Sequence, residues 1–128
     1  MRVAPFFILA PILAGCSDGC GNTVLATQDS PDGQHSAVLF ERNCGATTPF
    51  ATHISVLRKD ERLSGAGNTF TADANHGAAS TGVWGGPWAT MAWLSPNKLV
   101  VRYADGSRSF RREGEVDGVQ ISYEPVGR

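Results

Sequence analysis

The sequence predicts an all-β domain: a small antiparallel meander of about six or seven strands, closed as a small barrel or folded as a twisted sheet. Three observations lead there. No stretch of useful length carries apolar residues at helical spacing, and several short stretches alternate apolar with polar residues, the period of a half-buried strand. Gly, Pro, Asn and Asp fall between those stretches, where the chain must reverse.

Taken in order, the first hairpin is expected over residues 23–41. Ser30-Pro31-Asp32-Gly33 forms its turn, Pro31 fixing φ and Gly33 allowing φ above zero. Ala37 to Phe40 is apolar on both faces and suits a central strand. Thr52 to Leu57 puts Ile54 and Val56 on one side, with His53 on the polar side as a surface residue. A second hairpin covers residues 89–103. Thr90 to Leu94, with Met91 and Trp93, is followed by the turn Ser95-Pro96-Asn97 and by Lys98 to Tyr103, where Leu99, Val101 and Tyr103 point one way. Ala104-Asp105-Gly106 opens a further connection, with Phe110 expected to dip back into the core. Gly118 to Glu124 closes the domain with Val119, Ile121 and Tyr123 on one face.

Ahead of this domain, Arg2 precedes an apolar run from Val3 to Leu13, broken only by Pro5 and Pro11. It has the outline of a secretory signal, and it falls short of the about 20 apolar residues a membrane-crossing helix needs. The run ends in Leu13-Ala14-Gly15-Cys16, which resembles the lipobox of bacterial lipoproteins. That resemblance implies cleavage after Gly15 and acylation of Cys16 with diacylglycerol and a further fatty acid such as palmitate. Two or more chains anchor stably, where one, at about 0.8 kcal/mol per buried methylene, binds only reversibly. By the sorting rules of the same family, Ser17 in place of Asp implies transfer to the outer membrane, facing the periplasm. The expected organisation is a signal peptide over 1–15, a lipid-anchored tether over 16–22 and a β-domain over 23–128.

Cleavage would remove one Arg and no acid, leaving 113 of 128 residues with 10 basic against 12 acidic side chains. That suffices for one domain. The balance argues against a nucleic-acid partner, which calls for clustered cations. One cluster, Arg108, Arg111 and Arg112, is followed by Glu113 and Glu115. It reads as a self-balanced solvated turn, against the alternative of a patch for a small anion or lipid headgroup. Beyond Cys16, Cys20 and Cys44 are left to pair in a compartment that permits oxidation. Such a disulfide would be worth about 3–4 kcal/mol; free thiols or a metal pair are the alternatives.

Two further resemblances are local. Ser-Pro-Asp-Gly before one apolar strand and Trp93-Leu94-Ser95-Pro96-Asn97 before another are similar to the turn usage of TolB-type β-propellers, but a closed propeller needs at least about four blades of roughly 40 residues. The stretch from Ser30 to Leu57, chiefly Phe40-Glu41-Arg42-Asn43-Cys44-Gly45-Ala46-Thr47-Thr48, resembles a segment of small uncharacterised bacterial envelope proteins. No activity is implied by that likeness.

Residues 64–89 are the least regular, rich in Gly and Ala, with Asn68, Asp73, Asn75 and His76 and then Trp84-Gly85-Gly86-Pro87-Trp88. Long irregular loops are where binding concentrates, so the candidate binding residues are Trp84, Trp88, Asn75 and His76. The competing reading has one or both tryptophans closing the end of a small core. Catalysis finds little support. His35, His53 and His76 lack paired metal-ligand spacing, no Ser or Cys sits in a nucleophile elbow, and Gly65-Ala66-Gly67-Asn68 lacks the Lys and Ser or Thr of a phosphate cradle. No cofactor is expected. The functional expectation is a non-enzymatic, lipid-anchored binding module of the bacterial envelope, held to the membrane and meeting a periplasmic protein or cell-wall partner. Its alternatives are a structural or accessory envelope lipoprotein without a specific ligand, and a lysozyme-inhibitor-like lipoprotein.

Overall fold

A computed structural model describes residues 19–45 and 50–127. The expected signal segment 1–15, Cys16 as the expected site of lipid attachment and the remainder of the Cys-Gly-Ala-Thr-Thr segment beyond Gly45 lie outside the described residues. The fold is all-β. Nine strands appear among the described residues: β1 (Gly21–Asp29), β2 (His35–Asn43), β3 (Ala51–Arg58), β4 (Phe70–Asp73), β5 (Ala89–Ser95), β6 (Lys98–Ala104), β7 (Arg108–Arg112), β8 (Glu115–Val116) and β9 (Val119–Val126). They form two open sheets, ordered β1-β2-β3-β4-β7 and β5-β6-β9-β8. Of the two closures expected, the twisted sheet pair is the one adopted.

The local pairings follow the turns. Gly33 N donates to Ser30 O at 2.8 Å with Gly33 at φ 73°, and the Asp32 carboxylate accepts from Ser30 Oγ at 2.7 Å. That turn sets the β1–β2 hairpin, and β5–β6 is the second. β1 begins at Gly21, inside the stretch expected to be tether, because Gly21 and Asn22 already pair with Asn43 and Arg42. The Cys20–Cys44 disulfide closes the hairpin just beyond that pair.

The meander is broken twice. β7 leaves β6 to join β4 in the first sheet, and β9 returns to lie parallel to β6. Such crossovers pair strands far apart in the chain. Between the sheets sits one core of Leu39, Ile54, Val56, Phe70, Met91, Leu99, Val101, Tyr103, Val119 and Ile121. Phe70 is fully buried, its ring 5.6 Å from that of Tyr103 and 5.8 Å from that of Tyr123.

Four sequence expectations need correction. Residues 64–89 are not all loop, since they hold β4, an inner strand of the larger sheet. Phe110 does not enter the core; 64% exposed, it falls at the bulge where β7 carries one residue more than β4. Arg108, Arg111 and Arg112 belong to that strand rather than to a turn, with Arg112 stacked over Tyr103 and Tyr123 at 5.5 and 5.2 Å. His53 is buried, because the segment after β3 folds back over the outer face of the sheet. Leu63 there packs on Val38, Phe40 and Leu57, the Asn68 side chain bonds both backbone groups of Val56, and Gly67 N donates to His53 Nδ1 at 2.9 Å.

Candidate functional site

Strand register decides what gathers at each end of the sandwich. Gly21 pairs with Asn43, Arg42 with Ala51, Ala51 with Asp73, and Asp73 with Arg108. The Cys20 bridge, the start of β3, the end of β4 and the start of β7 therefore share one pole. The turn joining β6 to β7 lies there too, since a side chain on Gly106 would strike Ala78 O.

On this pole Phe50, Asp73, Ala74, Asn75, His76, Gly77, Thr81, Gly85 and Arg108 line a cleft of about 310 Å3. Asp73 is its base. Buried itself, it takes Arg108 Nε on Oδ1 at 3.1 Å and Nη2 on Oδ2 at 2.5 Å, a two-pronged charged pair. The Arg108 hydrogen bonds hold the Asp73 carboxyl below the usual carboxylate range against the opposing effect of burial, with help from the Asn75 backbone N–H at 2.9 Å and from His76. Beyond Asp73 the chain turns left-handed: Asn75 and His76 have φ of 53° and 56°, followed by Gly77 at 92°. For Asn and His that conformation costs energy and persists only where surrounding bonds dictate it. Gly77 N to Ala74 O, Ala78 N to Asn75 O and Ala79 N to Ala74 O supply those bonds, and His76 is left projecting at the rim. Opposite, Phe50 lies half-exposed against Gly85, whose φ of 92° and lack of Cβ allow the ring to approach the backbone.

Of the residues singled out from sequence, Asn75 and His76 line the cleft. Trp84 and Trp88 do not. Trp84 packs against the core with its Nε1–H donated to buried Thr52 Oγ1 at 2.8 Å, and Trp88 is half-buried with its backbone bonded to Ser80 and Ala104. Phe50 and Arg108 join the cleft unannounced by any motif. An apolar residue next to Pro49 and a cation in an apparent turn carry no signal until the register sets them beside Asp73.

The opposite pole has a more open, polar cleft of about 610 Å3 between Gln34, His35, Arg58, Lys59, Asp60, Glu61 and Asp117. Asp117 Oδ2 meets His35 Nε2 at 2.9 Å and Oδ1 meets Arg58 Nη1 at 3.5 Å, while His35 Nδ1 is buried without a partner. The Asp117 carboxyl is held low, first by the His35 hydrogen bond. Among the described residues no three His, Cys, Asp or Glu side chains converge as a metal site, and no helix is long and apolar enough to cross a membrane.

The Asp73–Arg108 pair supports the left-handed turn, so Arg108→Gln raises the Asp73 pKa towards its ordinary value and frees the turn. Amide exchange from Asn75 to Ala79 accelerates about tenfold while the β2–β3 amides keep their protection. Unchanged exchange there would show that the turn holds itself. No family model, no curated protein and no solved structure matches this chain, so what it does must rest on its own residues.

Proposed function

We propose that the protein is a lipid-anchored, non-enzymatic binding module of the bacterial envelope, tethered through Cys16 and facing the periplasm from the outer membrane. Supporting the anchor is the lipobox-like Leu13-Ala14-Gly15-Cys16, only four residues ahead of the Cys20–Cys44 bridge. The observation that carries the binding role is the cleft on the anchored pole. It sets an exposed aromatic, a histidine and an arginine around a turn held in a costly conformation. Such strain is kept where a surface must present a fixed shape. A general base must be free to take up a proton near the working pH, whereas the Asp73 carboxylate is engaged by Arg108 and held below the usual carboxylate range, an arrangement that suits recognition.

Intact mass of the protein from membrane fractions, beside a Cys16→Ala variant, tests the anchor. The expected mass begins at Cys16 and carries acyl chains, and the variant appears unacylated in the soluble fraction. An unmodified, soluble wild type would overturn the reading and return Cys16 to the free cysteines.

A further inference from the structure

Resting on that anchored reading, we infer that the partner met by the Phe50–His76 pole is the bilayer interface itself, with Phe50 and Val83 resting among the lipid headgroups. Tether length carries the inference. From acylated Cys16 to the disulfide at Cys20 the chain has four residues, which span at most about 14 Å however they are arranged. Beyond Cys20 there is no slack, because Gly21 is already paired with Asn43. The headgroup layer on each side of a bilayer takes up roughly 5–8 Å of that reach. What remains is too narrow for a folded protein between this pole and the membrane, a domain of about 100 residues having a radius of gyration near 13 Å.

The chemistry of the pole agrees. Thr81 bridges to Pro87, and between them Gly82 N donates to Gly86 O and Gly85 N to Gly82 O, making a tight turn. Val83 stands at its tip, completely exposed. Phe50, 51% exposed, lies against Gly85 of the same turn. Two large apolar side chains thus project from the end of the domain that the tether holds to the lipid. On this pole Arg108 is paired with Asp73 and Arg42 donates to Asn22 Oδ1 at 2.7 Å, so the contact draws on apolar surface and does not call for anionic lipid. Apolar side chains at an interface bury to about 5–10 Å. The charged cleft of His35, Arg58 and Asp117, at the far pole, then faces away from the membrane.

The test uses the mature acylated protein in phosphatidylcholine vesicles, and in vesicles containing phosphatidylglycerol. A photo-crosslinking residue, p-benzoylphenylalanine, replaces Val83 in one protein and Asp60, at the far pole, in another; both positions are exposed. After irradiation, lipid adducts are counted by mass. The expected result is at least about fivefold more adduct at position 83 than at 60, alike in both vesicle types, as a depth of 5–10 Å for apolar side chains requires. Equal or lower yield at 83, with acyl chains confirmed on Cys16 by intact mass, overturns the inference and leaves the anchor standing. A yield at 83 that appears only with phosphatidylglycerol also overturns it, since the contact would then be electrostatic. Absence of acyl chains overturns both together.

Discussion

Replacing Trp84 by Ala lowers the stability of the domain by about 3 kcal/mol, the low end of the range for truncating a large core aromatic, since Trp84 is partly buried against the core. Trp84 lies in the segment that reads as an irregular loop, yet it closes the end of the sandwich. Its ring packs against the core and lies over Gly82, where any Cβ would collide with it. Its Nε1–H reaches Thr52 Oγ1 at 2.8 Å, and the same hydroxyl donates to Pro87 O at 2.7 Å. Thr52 is fully buried, so water does not replace the lost partner without entering the core. Truncation therefore removes packing and one of the two hydrogen bonds of the buried Thr52 hydroxyl at once. Urea denaturation measures the loss, and Trp84→Phe separates the two parts: it keeps most of the ring and gives up only the hydrogen bond, for about 1 kcal/mol. A Trp84→Ala protein within about 1 kcal/mol of wild type would mean that the end of the core is closed by its other residues, below the range for such truncations.

The two tryptophans show where sequence reasoning reached and where it stopped. An aromatic between glycines is compatible with an exposed binding loop and with a plug that needs glycines to seat it. Only the contacts of Gly82 and Gly86 with the Trp84 indole decide. Strands with clean alternation, such as β6 and β9, were legible because one face meets the core and the other meets water or a covering residue. β4 was not. Four residues long and buried throughout, it carries Thr71 and Asp73 among its buried positions, so no alternation marks it. β7 was hidden by its arginines, whose partners Asp73, Tyr103 and Tyr123 come from three other strands. The parallel pairing of β6 with β9 depends on a crossover through the opposite sheet, which no local pattern encodes. The same holds for the cleft. Asn75 and His76 stood out as polar residues in a Gly- and Ala-rich stretch, but Phe50 and Arg108 reach it only through register.

Acid destabilises the domain between pH 6.5 and 4 through His53. Burial lowers its pKa from 6.5 to about 4, and the charge of Arg42 adds to the effect. Geometry gives the same direction. Nδ1 accepts the Gly67 N–H at 2.9 Å, so the neutral ring carries its hydrogen on Nε2, and a second proton would have to displace that bond. Because the folded pKa lies below the unfolded one, the unfolded chain binds the extra proton first, and stability falls as pH drops through this window. At 1.36 kcal/mol per unit, the loss is about 2 kcal/mol at pH 5 and approaches about 3 kcal/mol below pH 4. Asp73 and Asp117, whose pKa values are lowered from 3.8, lose their contributions only below that value and leave the window to His53. His53→Asn offers the control, since its Oδ1 accepts from Gly67 N–H and does not titrate. Urea midpoints at pH 7.5 and 5.0 are expected to fall for wild type and to stay level for the variant. If wild type and variant lose the same stability on acidification, His53 is charging freely. The covering segment from Lys59 to Thr69 would then have to open in solution at a free-energy cost smaller than the burial of this imidazole implies.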